Sequence, residues 1–300
     1  MTLIIRRGPS VAAASLPAAA ALIWLASLLP AAAQGTLDAR YNITLAGLSI
    51  GRAEWTAAIG EDRYSVWAKG GASGLFKVLV TGTGEARAEG VIRDGKLQPV
   101  TFASKVVADD ETSELKIAFD RGAARVQRTT PQILHSDLVP LTETDRTGVI
   151  DTLSGMLIPI GGGSDVLNPG QFLSDEICQP RIPIFDGNRR FDLRLSFKRV
   201  DRVRAERGYE GAAVVCAMTF QPLAGYRTSS TLVSYLADSR DMELWMAPIA
   251  GTNFAAPFKI SVANLIGNLV MQATQYETVS QARESAIITV APEPKPKSRK

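Results

Sequence analysis

Within the stretch RIPIFDGNRRFDLRLSF (Arg181–Phe197), the nine residues 186–194 hold five charged side chains: Asp186, Arg189, Arg190, Asp192 and Arg194. Acids and bases interleaved with aromatics could form a reactive charge cluster, or the solvated face of a hairpin. Other groups with chemical potential are few. Asp109-Asp110-Glu111 and Asp175-Glu176 place carboxylates side by side, as general acid–base work or cation binding requires. Both runs adjoin strand or loop segments, where a solvated loop is the simpler account. Ser73 and Lys77 stand four apart, a loose version of a Ser-Lys nucleophile pair. His135, in TPQILHSDLVP, is the only histidine, so a Ser-His-Asp triad has one candidate base, and it lies outside any strong element. Gly161, Gly162 and Gly163 precede Ser-Asp rather than Gly-Lys-Ser/Thr, so a phosphate loop fails at the residues that hold phosphate. No G-x-S-x-G elbow is present.

Cys178 and Cys216 are the two cysteines of the chain. An even, small number in an exported protein favours a disulfide over buried free thiols or a catalytic role. Such a bridge would enclose the charged stretch. A zinc site is disfavoured, because zinc takes four ligands from Cys, His and carboxylate. No other cofactor is implied.

The compartment is written at the N-terminus. Arg6 and Arg7 precede the apolar run ALIWLASLL (Ala21–Leu29), and Ala31-Ala32-Ala33 follow Pro30. A basic region, an apolar core and small residues at the −3 and −1 positions make residues 1–33 a signal peptide for the general secretory route. The rival, a membrane anchor, needs roughly 20 apolar residues, and the run between Pro17 and Pro30 is shorter. Cleavage after Ala33 removes two arginines and no acid, leaving 31 basic against 30 acidic residues. That balance argues against nucleic acid as a partner. Residues 281–300 end in APEPKPKSRK, whose prolines and bases read as a disordered tail.

The elements between these ends are mostly strands. Tyr41, Ile43 and Leu45 alternate with polar or small neighbours, as do Trp55, Ala57 and Ile59, then Tyr64, Val66 and Ala68. Arg93-Asp94-Gly95-Lys96 and Asp120-Arg121-Gly122 are hairpin turns. Later strands are expected at Phe191–Phe197, Gly211–Phe220, Thr231–Leu236, Met242–Met246 and Phe258 onward. In the first of these, Phe191, Leu193, Leu195 and Phe197 share one face, which sends Asp192 and Arg194 to a charged outer face beside the Asp186-Gly187-Asn188 bend. Two segments have helical apolar spacing: Ser73–Val80, and Thr147–Ile160 with Ile150, Leu153, Met156 and Leu157 in register and Thr147 or Asp151 as cap. The expected fold is mainly β, a large antiparallel curled sheet or barrel-like domain over residues 34–280 with one or two short helices.

With those elements placed, the chain resembles a family of exported bacterial domains of unknown function, in its alphaproteobacterial branch. The resemblance rests on YNITLAGLSIGRAEW (Tyr41–Trp55) with Gly47, Leu48, Ile50 and Gly51, on RDGKLQPVTF, on IFDGNRRFDLRL, and on APFKISVANLIGNLVMQA. It covers about residues 38–278 and implies no catalytic residue.

The sequence therefore reads as a periplasmic, non-enzymatic cell-envelope protein, not integral to the membrane after cleavage. It would bind or carry a lipid or other apolar or amphipathic envelope molecule. Tyr41, Trp55, Tyr64, Trp67, Trp245 and Phe254 could line such a cavity, or simply fill the core. The alternative is a structural adaptor that meets an envelope protein partner through a sheet edge. A hydrolase with a carboxylate site assembled by the fold is third.

Overall fold

The structure, a computed structural model, describes residues 35–73, 82–108, 111–128, 136–160, 175–178, 181–263 and 265–280. Residues Ala31–Lys300 form one compact unit. The leader at 1–33, the tail at 281–300, His135 and the glycine triplet at 161–163 lie outside the described residues.

Alternation of apolar and polar residues becomes a single antiparallel-dominated sheet. Its first run comprises β1 (Gly35–Leu45), β2 (Leu48–Ile59), β3 (Arg63–Ala72), β4 (Gly82–Arg93), β5 (Lys96–Ala108), β6 (Glu111–Asp120) and β7 (Ala123–Arg128). The second comprises β8 (Ile158–Pro159), β9 (Arg181–Phe185), β10 (Arg190–Arg204), β11 (Arg207–Gly208), β12 (Glu210–Ala224), β13 (Glu243–Pro248), β14 (Phe254–Val262) and β15 (Leu269–Ser280). The main path runs β7-β6-β5-β4-β3-β2-β1-β15-β14-β13-β12-β10-β9, with β11 on β15 and β8 on β14. Two-residue turns set the early register: Asp94 (φ 51°) with Gly95 (φ 70°), and Arg121 (φ 48°) with Gly122 (φ 79°), supply the left-handed pair that a type I′ hairpin demands.

The sheet curls until its outermost strands nearly meet. A short strap joins them: Thr147 pairs with Ala123 of β7, and Ile150 pairs in parallel with Ile184 of β9. Ile150 N–H donates to Pro183 O at 2.9 Å, and its own carbonyl accepts from Phe185 N–H at 2.9 Å. Helical spacing over Thr147–Ile160 therefore misleads. The segment is an extended strap, a 3₁₀ turn at Ser154–Met156 and strand β8. Val149, Asp151, Ser154, Leu157, Ile158 and Ile160 are all buried, a set that does not fall on one helical face. With no helix to cap, Asp151 instead accepts from Leu153 N–H and Ser154 N–H at 2.9 Å each just ahead of the 3₁₀ turn.

Two apolar layers result. Alternation along β12 sends Ala213 and Val215 into the barrel interior with Leu37, Trp55, Val66 and Phe258. Val214 and Cys216 face outward into a second layer with Ile177, Cys178, Leu195 and Leu244. Strand β13 is consequently buried on both faces. Cys178 and Cys216 form a disulfide (S–S 2.04 Å) that holds the 3₁₀ turn Asp175–Cys178 against β12.

One further expectation changes. Thr231–Asp238 is a helix, α1, not a strand. Ser230 accepts from Val233 N–H, and Leu232, Val233 and Leu236 have helical spacing. The Ser73–Val80 helix falls outside the described residues beyond Ser73, whose N–H bonds Ile50 O.

Candidate functional site

The aromatic residues singled out as cavity lining are core instead. Tyr41, Trp55, Tyr64, Trp245 and Phe254 are buried in the interior cluster. Tyr41 Oη donates to Pro257 O at 2.7 Å, Tyr64 Oη to Ser154 Oγ at 2.8 Å, and Trp245 Nε1 to Asp201 Oδ2 at 2.8 Å. Trp67 is half-buried on the other face, with Lys69 Nζ 5.2 Å from its ring centroid.

The hairpin at Arg181–Phe197 also differs from its reading. Arg190 and Asp192 are buried, with Arg190 Nη1 2.7 Å from Asp192 Oδ1 and Arg181 Nε on Asp192 Oδ2. Phe197 is 46% exposed, while Leu193 and Leu195 are buried. The outer layer under the disulfide covers the Leu193 and Leu195 face, while Arg190 and Asp192 are enclosed on the opposite face, where Arg190 pairs with the interior residue Phe185. Asp186, Arg189 and Arg194 keep to the surface or its edge. The Asp186-Gly187-Asn188 bend closes the barrel: Arg128 of β7 donates to Asn188 Oδ1 at 2.6 Å and to Gly187 O at 2.8 Å.

Beside that seam lies an open groove of about 940 Å³. Its first wall is the inner face of β5 and β6, with Phe102, Val106 and Leu115; its second is Phe191 of β10 and Phe220 of β12; α1 lies along it with Leu232 and Leu236. Phe191, Phe220 and Tyr226 form a chain of rings at 5.4 and 5.6 Å. The guanidinium of Arg189 sits 5.5 Å from the Tyr226 ring, a favourable cation–π distance. Burial pushes the Tyr226 hydroxyl above its ordinary pKa, so it stays a neutral phenol. Helix α1 contains no buried residue, and Leu232 is 44% exposed. Its entry is pinned by Asp137, which accepts from Ser229 Oγ and pairs with Arg227 Nε at 3.1 Å. The Ser229 hydroxyl, aided by Arg227, holds the Asp137 carboxyl below its usual range.

The groove thus combines apolar walls, stacked rings and a rim carrying Arg128, Arg189 and Arg227 against Asp186 and Glu114. A volume of this size accommodates a drug-sized or acyl-chain-sized ligand. A hollow of about 950 Å³ at the opposite end, by the β4–β5 turn and the strap, has no comparable aromatic set. Among the described residues, no group of three or more His, Cys, Asp or Glu could hold a metal. Glu111 opens β6, and Asp175 and Glu176 sit in the 3₁₀ turn. Asp109, Asp110 and Lys77 lie outside the described residues. The groove residues Phe102, Phe220, Tyr226 and Leu236 escape the sequence reading. Their signal was Ser230 followed by Leu232, Val233 and Leu236, a cap and a helical stripe beside a strand.

The family model for a protein of unknown function, DUF3108, matches residues 40–274. The chain belongs to the DUF3108 family. Its match contains both walls of the groove, α1 and both cysteines. Among solved structures, a beta-barrel-like protein of domain of unknown function DUF1849 from Brucella abortus is similar, at 9% identity and a TM-score of 0.44. The alignment covers 83% of this chain and 100% of that one. A comparison with curated proteins finds no match. Among the described residues of this DUF3108 chain, no helix is long and apolar enough to cross a membrane.

Proposed function

We propose that this protein is an exported, periplasmic, non-enzymatic carrier that binds an apolar or amphipathic envelope molecule in the groove under α1. One observation carries the reading: the groove joins the inner face of β5 and β6 to the Phe191–Phe220–Tyr226 rings beneath a helix that buries none of its own residues. Apolar walls take an acyl chain or similar tail, and the arginines on the rim suit a polar or anionic head. Export is supported by the leader-like residues 1–33 and by a disulfide, which persists in oxidising compartments. The adaptor reading finds less support, because the strap occupies part of both outer strand edges.

The test is ligand content and uptake. Protein purified from its own envelope should release a lipid on solvent extraction, and delipidated protein should take up a fluorescent fatty acid. Phe220→Asp should abolish uptake. A delipidated wild-type protein that neither carried lipid nor took up the probe would overturn the reading.

A further inference from the structure

The hollow at the strap end differs from the groove in the charge on its wall. It carries Arg93 and Lys96 from the β4–β5 hairpin, Arg121 from the β6–β7 turn and Arg181 of β9, and no carboxylate. Four other hollows, the groove under α1 among them, each carry two carboxylates. Arg93 and Lys96 stand directly opposite each other across the hairpin. Like charges in that position repel. Neither has an ion-pair partner among the described residues, and Asp94, in the turn between them, pairs with neither. Other acids of this end are engaged or stand off the wall. Asp120 pairs with Arg121 at 3.6 Å, and Asp62 with Arg63 at 3.3 Å. Asp151 is buried on Leu153 and Ser154, and Asp192 on Arg181 and Arg190. Glu61, in the β2–β3 turn, is not part of the wall.

Between the cations the wall is apolar, with Leu97 and Val100 of β5, Phe119 of β6, and Ile150 and Leu157 of the strap segment. The register shift between β4 and β5 leaves Val100 as an extra residue, 44% exposed on this wall. From unpaired cations beside an uncovered apolar wall we infer a second ligand site, separate from the groove, that takes a single-chain amphipathic anion. Its head sits between Arg93 and Lys96, where charge-assisted hydrogen bonds replace their mutual repulsion. Its tail lies along Val100, Leu97 and Phe119. A hollow of about 950 Å³ suits one such chain. Selection is by contact rather than by a long-range field, because the paired acids outside the wall cancel much of the charge at a distance. The ligand also touches Ile150 and Pro183, whose 2.9 Å hydrogen bond joins the strap to β9. Binding here therefore tightens the seam of the barrel.

The experiment is calorimetric titration of the compact unit Ala31–Lys300 with decyl phosphate, below its micelle concentration, and with decanol as the uncharged control. Phe220→Asp removes the groove as a rival site, and this variant should still bind one decyl phosphate, roughly tenfold more tightly than decanol. Adding Arg93→Glu and Lys96→Glu should weaken decyl phosphate roughly tenfold or more and leave decanol unchanged. Both side chains are exposed on a hairpin end, so far-UV circular dichroism should not change. Val100→Asp, made separately, should abolish binding of both ligands at this site. In the wild type, decyl phosphate should slow hydrogen exchange at the Ile150 and Phe185 amides. Failure of Phe220→Asp to bind decyl phosphate, equal binding by the charge-reversed variant, or protection confined to α1 would each overturn the inference. None of these outcomes decides whether the groove takes up a fatty acid, which the wild-type uptake assay reads on its own.

Discussion

Asp192 shows how a charged residue on a strand can be read correctly for position and wrongly for surroundings. It alternates with Leu193 as the sequence demands, yet it is 1% exposed and meets Arg190 and Arg181. Removing one partner of a buried pair strands the other charge, which costs about 3 kcal/mol. Asp192→Ala should therefore lower stability by about that amount, read as a reduced urea midpoint with an unchanged slope. Asp151 behaves differently. Its carboxylate is fully buried and accepts from two backbone N–H groups and from Ser154 Oγ at 2.6 Å, but burial outweighs these bonds and pushes its pKa up. A carboxyl whose folded pKa exceeds the unfolded value of about 3.9 contributes most below that value, and the contribution is lost as pH rises through the folded pKa. Asp151→Asn, which cannot ionise, should gain on the wild type as pH rises from 4 to 8. Urea midpoints at the two pH values check the sign. A gap that widened toward acid would contradict it.

Among the elements, the disulfide and the strap do the holding that hydrogen-bonded strands cannot. The bridge spans a sequence separation of 38 and fixes a turn over β12. The chain-entropy argument gives on the order of 4 kcal/mol for such a loop. The Cys178→Ala, Cys216→Ala double variant should lose about 2–4 kcal/mol, measured by equilibrium urea denaturation. Elements with one covered face were legible in the sequence. The β1–β2–β3 alternation and the Asp94-Gly95 turn appear as read. Burial on both faces did not hide β13, expected at Met242–Met246, but Thr147–Ile160 was misread as a helix, because its buried residues do not fall on one helical face. Thr231–Leu236 was misread for another reason. A short run with apolar and β-branched residues fits either period, and the Ser230 cap was the deciding sign.

At the scale of the molecule, fold class was legible and the groove was not. Composition and turn spacing identify a curled antiparallel sheet, but Phe102, Phe191, Phe220 and Leu236 come from four separate elements and converge only when the sheet curls. The conspicuous aromatics Tyr41, Trp55 and Tyr64 went to the core, where large side chains fill the barrel. Closure should itself be measurable. Arg128 ties β7 to the β9–β10 turn, so Arg128→Ala should raise hydrogen exchange in β7 and in Ile184–Phe185 together, leaving β1–β3 protected. Exchange confined to β7 would mean that the strap closes the seam without it.

Strand β1 carries one more consequence, for how the chain comes to be folded. It pairs with β2 on one side, a neighbour in sequence, and with β15 on the other, from Gly35 opposite Ser280 to Leu45 opposite Leu269. A polypeptide emerging from its N-terminus can zip β1 to β7 hairpin by hairpin as each turn appears. The far edge of β1 must then wait, bare, until the last strand arrives. Loop closure over that separation is slow, and a long unpaired edge is the surface on which chains stick to one another. Seven early hairpin-linked strands thus form a half-built sheet whose survival depends on how soon β15 is delivered.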